Sequence, residues 1–253
     1  MVLPAPATIA ARVLAWVLAT EGLGEAHLTV APSALWRPPG GPDPLPGQVA
    51  ERLTALGWRD RAGDLEREVV ATLTVLCRPL VEMYGWITHD GATIGVLAAK
   101  IGKDAVLAVR TPDGMVGLSN IPAGRLAERL VAQTPHVVAA RGRPFVVSSA
   151  EVRAVNRYGR TRTTTGAMVR TASPEARQAK RLLAQDTTGG GELWVAVRDG
   201  TGLRQVITQP VRYVDLVGGR RMIAVQGDSR VRLSPADRGQ LVAALTEARR
   251  TPR

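Results

Sequence analysis

The spacing of its turn chemistry restricts this chain more than any other feature. Between residues 81 and 118, Asp90-Gly91, Gly102-Lys103 and Pro112-Asp113-Gly114 separate short apolar runs: Val81 to His89, Ala92 to Ile101, Asp104 to Arg110 and Met115 to Leu118. Asp-Gly and other glycine pairs supply the backbone positions that tight hairpins need. Parallel neighbours require a crossover of a dozen residues or more, and these gaps are far shorter. The segment therefore predicts an antiparallel meander with no room for crossover helices.

Helical spacing dominates what precedes it. Ile9, Val13, Trp16 and Val17 stripe a helix over 7–20, with Thr8 as a cap and Gly22 and Gly24 as stops. His27 to Ala31 reads as a short strand, and the prolines of Trp36 to Gly47 read as a surface loop, since proline cannot sustain helix or ladder hydrogen bonds. Val49, Leu53 and Leu56 stripe a second helix, and Leu65, Val69, Leu73 and Leu76 a third that ends before Pro79. After the meander, Pro122 suits a first helical position, and Leu126, Leu130 and Val131 mark a helix ending before Pro135.

The second half repeats this plan. A helix over Pro174 to Ala184 precedes strand runs at Leu193 to Arg198, Gln205 to Val217, Arg221 to Gln226 and Arg230 to Leu233, and a helix from Pro235 to Arg249 closes the chain. Asp199-Gly200 and Gly218-Gly219 supply hairpins, and Gly189-Gly190-Gly191 reads as a flexible turn. Strands in blocks, without alternation with helices, indicate an α+β fold of antiparallel meanders flanked by helices. The expected organisation is two pseudo-twofold-related halves, 1–148 and 149–253, packed as one domain.

Composition excludes several classes. At 45% hydrophobic and 22% charged, the chain can bury a core. Uncharged stretches such as Val13 to Thr20 fall short of the roughly 20 apolar residues that span a bilayer, so no membrane association is expected. No basic residue precedes Arg12, so the charged start of a secretory leader is missing and a cytoplasmic location is expected. The net charge of +11 raises nucleic-acid binding as an alternative. However, Lys100, Lys103 and Lys180 are the only lysines among 33 basic residues, a bias shared with the Ala, Val, Gly and Pro excess of a GC-rich coding sequence. The densest basic segment, Arg153 to Arg181, has Tyr158 as its only aromatic, whereas single-strand readers need several stacking rings; it reads as a solvated linker around Thr161 to Thr165.

Catalytic chemistry finds no constellation. His27, His89 and His136 are isolated and Cys77 is alone, reading as a packed thiol, so neither a metal nor a cofactor is expected. Ser119 sits in Gly-Leu-Ser-Asn-Ile, not in a nucleophile elbow, and Gly189 to Gly191 joins no strand to a helix as a phosphate loop would. Glu82 is expected to point outward from its strand, and His89, at a hairpin tip, to be exposed or to touch a partner. No enzymatic activity is expected.

The order of elements resembles the EspG family of type VII secretion-associated proteins. The resemblance rests on Leu53-Thr54-Ala55-Leu56-Gly57 with Gly63-Asp64-Leu65, on Leu76 to Glu82 leading into the meander, on Leu97-Ala98-Ala99 and Ala105 to Arg110, and on Tyr213-Val214-Asp215 followed by Gly219-Arg220-Arg221-Met222. It implies a cytosolic chaperone that binds helical PE/PPE-like heterodimers, keeps them soluble and targets them for export. It further implies a contact surface formed by the first hairpin tip, Ile87, Thr88, His89 and Asp90, with Leu182 and Leu183 of the later helical part. Two features depart from the family pattern: the Thr88 to Gly91 loop is short, and the surface is strongly basic.

Overall fold

The protein was analysed as a computed structural model, which describes residues 3, 5–33, 45–155, 160–162, 169–227 and 229–250. The chain opens with strand β1 (Ala7–Ala10), which runs directly into helix α1 (Ala11–Thr20), followed by α2 (Leu45–Ala55) and α3 (Arg67–Cys77). The first meander comprises β2 (Val81–His89), β3 (Ala92–Ile101), β4 (Asp104–Arg110) and β5 (Met115–Asn120), closed by α4 (Leu126–Val131). The later part runs β6 (Phe145–Ser148), α5 (Ser149–Ala154), β7 (Arg160–Arg162), β8 (Val169–Thr171) and α6 (Pro174–Leu183). It finishes with β9 (Thr187–Arg198), β10 (Arg204–Val206), β11 (Val211–Leu216), β12 (Gly219–Gln226), β13 (Arg230–Pro235) and α7 (Arg238–Arg250).

All strands except the small β7–β8 ladder join one antiparallel sheet in the order β1-β5-β4-β3-β2-β9-β11-β12-β13-β6, with β10 paired to β9. The two meanders meet at their first strands, where β2 and β9 pair antiparallel from Val81↔Val197 to His89↔Gly189. At the two ends of this order β1 lies beside β5 and β6 beside β13.

Period-two alternation sorts the side chains to two faces. On one face Tyr84, Leu97, Ala99, Val106 and Ala108 meet the apolar stripes of α1, α2 and α3, including Leu14, Leu53 and Leu73. On the other, Met83, Val96, Ala98, Leu193 and Val195 meet Leu130 of α4 and Leu241 and Leu245 of α7. With both faces covered, β2, β3 and β4 are buried on both faces along much of their length. That overturns the expectation for Glu82: it does alternate away from Met83, but the face it reaches is covered, and it is 3% exposed.

Other expectations are corrected locally. Ala7–Ala10 is a strand bonded to β5 at Ala7↔Leu118 through Ala10↔Met115, so the first helix starts only at Ala11 and Thr8 caps nothing. His27–Ala31 forms a turn, closed by Val30 N–H and Ala31 N–H on the His27 carbonyl, and not a strand. The Thr29 carbonyl lies where a Cβ on Gly95 would fall within 1.9 Å, so only glycine lets the turn rest on β3. Most of the proline-rich run lies outside the described residues, but α2 begins inside it at Leu45, because proline in a first turn removes no intrahelical hydrogen bond. Pro122 starts a turn, with Arg125 N–H on its carbonyl, and the helix begins at Leu126.

The largest correction concerns Gly189-Gly190-Gly191. These glycines form the middle of a strand bonded on both sides, to β2 and to β11, and not a flexible turn. A Cβ on Gly189 would meet the Thr88 carbonyl at 2.5 Å, and one on Gly191 the Tyr213 ring at 2.6 Å. Close approach of neighbouring groups, and not a reversal of direction, requires glycine here. Of the expected linker, 163–168 lies outside the described residues, while 160–162 and 169–171 pair as a two-stranded ladder.

Candidate functional site

The two halves are unequally covered on the face that carries α1 to α3. In the second half only α5 and α6 lie on that side, and they pack toward β6. Ser148 accepts from Glu151 N–H and Ser173 from Ala176 N–H, capping both helices, and the Glu151 carboxylate accepts from Ser173 N–H at 2.9 Å to join them. The apolar contact beneath is small: Val147, Val152, Val155, Ala172, Ala176 and Ala179. On the strands beside it, Val214, Ile223, Val231 and Leu233, half-buried, and the buried Leu216 line a groove of about 410 Å³ together with Leu182 and Leu183.

That groove continues around one end of the sheet. Leu182, Gln185 and Leu216 also line a larger concavity of about 730 Å³, whose far walls are the 136–141 segment and the β11–β12 turn at Val217-Gly218. His136 then joins it to a third of about 450 Å³ beside the β2–β3 hairpin, lined by Ile87, His89, Ala92 and Ile94. Val138 and Val217 on the larger concavity and Leu183 on the adjoining groove stand 69%, 74% and 73% exposed, solvated aliphatic groups on two neighbouring concave surfaces. Apolar groups gathered this way around a concave surface mark a contact site.

A buried ion pair holds the 134–141 wall in place. Arg220 and Asp215 are both fully buried. Arg220 donates Nε–H to Asp215 Oδ1 at 2.6 Å and Nη2–H to Oδ2 at 2.9 Å. It also donates to the Thr134 hydroxyl at 3.1 Å and the Pro135 carbonyl at 3.0 Å, and its guanidinium lies 4.5 Å from the Tyr213 ring centre. Backbone bonds extend the wall: Arg220 N–H donates to the Val138 carbonyl and Ala140 N–H to the Arg220 carbonyl. Arg238 donates to the Ala132 and Thr134 carbonyls. Gly219, at φ 106, sits where a Cβ would come within 2.8 Å of Ala140, so the wall can lie flat against β12.

The residues expected from the sequence come together at this end. Asp90 N–H donates to the Thr188 carbonyl at 3.3 Å, and Thr187 lines the groove with Leu182 and Leu183, so the hairpin tip adjoins the end of α6. Thr88 bonds Thr93 through their hydroxyls at 2.8 Å, and His89 lies 3.2 Å from Asp90, which is exposed at φ 49. Ile87 is different: at 2% exposed it belongs to the core and offers the tip no free apolar surface. Leu183 is solvated and Leu182 half-buried. The sequence reading missed Val138, Val217 and the Arg220 clamp. Val217 carried a signal, an aliphatic side chain at a hairpin turn where polar residues prevail, whereas Val138 lies in a segment without period.

Titratable groups elsewhere are built into the core. Glu82 accepts from Arg204 Nε–H at 2.5 Å and lies 3.9 Å from His27, which packs edge-on against Tyr84. Burial raises the Glu82 pKa, opposed by Arg204, and lowers that of His27 to about 4, with Arg204 adding to the fall. Burial likewise pushes the Cys77 thiol up to about 11, against the neighbouring Arg78. Among the described residues, no group of three or more His, Cys, Asp or Glu side chains is arranged to hold a metal ion, and no helix is long and apolar enough to cross a membrane.

Fold and site together define an α+β protein built on one two-meander sheet, with an apolar groove opening at the end where hairpin tip and α6 converge. The chain belongs to the EspG family, whose model matches residues 11–247. Among solved structures it is similar to the Mycobacterium tuberculosis type VII secretion system chaperone EspG5 in complex with the PE25-PPE41 dimer. The TM-score is 0.69 at 14% identity, over 98% of this chain and 97% of that one. None of the curated proteins matches the chain in sequence.

Proposed function

We propose that this protein is a cytosolic, non-enzymatic chaperone of type VII secretion that binds the helical tip of a PE/PPE-like heterodimer, keeping it soluble and directing it to export. The observation that carries the reading is the solvation of Val138, Leu183 and Val217 on two adjoining concavities that share Leu182, Gln185 and Leu216. Its support is threefold: family membership, a shared fold with a chaperone solved on its PE/PPE dimer, and an apolar groove lined by the end of α6 and the strands beside it. A helix end laid in that groove would cover aliphatic groups on both partners, at about 1.5–3 kcal/mol for each large side chain fully buried.

Within this reading the halves 1–148 and 149–253 are pseudo-twofold relatives packed as one domain, β6 crossing to serve as the outer strand beside β13. Thr88, His89, Asp90, Leu182 and Leu183 contact the cargo, and Ile87 supports the hairpin from beneath. The test is co-expression with a PE/PPE pair encoded beside the chain, followed by size-exclusion analysis. A stoichiometric complex formed without ATP or metal is expected. A pair that neither co-purifies nor gains solubility refutes the reading.

A further inference from the structure

The larger concavity carries an arginine for which the described residues supply no counter-charge. Arg221 lines it, is 4% exposed, and lies on β12 with its backbone paired to Val214. Its guanidinium donates through Nη2 to the Arg141 carbonyl at 2.6 Å, while Nε and Nη1 are buried and find no acceptor among the described residues. Every charged group on the lining is basic: Arg221 and Arg141, with His136 beside them, among Val138, Leu182, Leu216 and Val217. The neighbouring Arg220 shows the contrast, since the same fold gives it a carboxylate, a hydroxyl and a carbonyl. Burial lowers the Arg221 pKa. A buried, unpaired cation is costly to a folded chain, and an anion brought from outside would relieve that cost.

We propose that the concavity recognises an acidic side chain, Asp or Glu, set within the apolar tip of the helical partner, and that Arg221 is its receptor. The volume of about 730 Å³ falls in the range of specific ligand pockets, and its aliphatic walls and cationic floor match an apolar tip bearing one carboxylate. Arg221 would then decide which helical pairs bind, because a tip with a neutral or basic residue there would leave the guanidinium unpaired in a desolvated interface. The inference rests on the chaperone reading and adds to it the chemistry of the cargo.

The experiment uses the full chain and its variant Arg221→Met, co-expressed with a neighbouring PE/PPE pair whose PPE member carries Asp or Glu at its helical tip. Calorimetry then follows on the separated partners. Arg221→Met is expected to leave the melting temperature of the free protein unchanged or higher, because it removes an uncompensated charge, and to weaken binding about 10-fold to 100-fold. Neutralising the tip acid should cost the wild-type chain a similar factor and the variant little. Equal binding by Arg221→Met, or additive losses from the two changes, overturns the acid-recognition proposal while the chaperone reading stands. A clearly lower melting temperature also overturns it by making Arg221 structural. Failure of the wild-type chain to bind the pair at all removes the chaperone reading itself.

Discussion

Removing the carboxylate from the buried clamp, Asp215→Ala, puts the architecture of the site to its most direct test. The side chains of Asp215 and Arg220 are fully buried, and the carboxylate accepts two of the four hydrogen bonds that the guanidinium makes. Without it, Arg220 keeps the Thr134 hydroxyl and Pro135 carbonyl but becomes an uncompensated charge in the core, at a cost of about 3–5 kcal/mol. For a chain of this size each kcal/mol moves the midpoint by roughly 2–4 °C, so differential scanning calorimetry should record a fall of about 6–20 °C. The double variant Asp215→Leu with Arg220→Met removes both charges and should recover most of that loss, since apolar replacement of a buried pair is often near neutral. It should not recover the wall: with Thr134 and Pro135 released, the Ala140 amide should exchange faster than in the parent. A fall below about 2 °C for Asp215→Ala would refute the reasoning, because it would mean that the guanidinium finds water or another acceptor. Wild-type exchange in the double variant would show that the clamp does not position the 134–141 segment.

Four further outcomes are expected. Leu183→Asp alters a residue that is 73% exposed, so stability should stay within about 0.5 kcal/mol while cargo binding falls by about 2 kcal/mol or more in calorimetric titration; Asp90→Lys at the rim should change binding less. Gly191→Ala forces a Cβ within 2.6 Å of the Tyr213 ring and 2.9 Å of the Trp86 carbonyl, so urea unfolding should show a loss of about 1–3 kcal/mol. The His27 pKa falls on folding from 6.5 to about 4, so between those values the unfolded chain binds the extra proton and stability drops as pH falls, by as much as roughly 3 kcal/mol. The raised pKa of Glu82 acts in the opposite sense and is retained in His27→Asn, so a shallower acid limb in that variant isolates the histidine. Binding to single-stranded RNA should remain near 10⁻⁴–10⁻⁶ M and weaken steeply with salt; tight, sequence-dependent binding at high salt would favour a nucleic-acid role.

How much of this was legible depends on whether the cause is local. Asp90-Gly91 and Gly102-Lys103 act through their own backbone, and the hairpins stand where the sequence places them. The stripes of α2 and α3 were equally visible, because burial against a sheet imposes the helical period directly. Where a distant partner decides, the sequence misled. Ala7–Ala10 continues the apolar pattern of the helix after it, and only pairing with β5 makes it a strand. The triplet Gly189 to Gly191 carries a turn's composition, yet carbonyls and a ring from other strands are what demand it. Glu82 follows the expected alternation, but nothing in the sequence announces that both faces are covered. Of the candidate site, the hairpin tip and the end of α6 were named only through the family resemblance. Their meeting depends on β2 lying beside β9, and the Arg220 clamp joins residues more than eighty positions apart.

The short outer strands bear on what the protein refuses to bind. An 11-stranded sheet offers long rows of backbone donors and acceptors at any unprotected margin, and such margins recruit extended chains into aggregates. Here both margins are brief: β1 and β6 are four residues each, and each gives way at once to a helix, α1 after Ala10 and α5 after Ser148. A misfolded or unfolding cargo segment therefore meets little template along which to polymerise. The same molecule presents an aliphatic groove beside α6, so under the proposed function a helical cargo would find a surface that an extended chain would not.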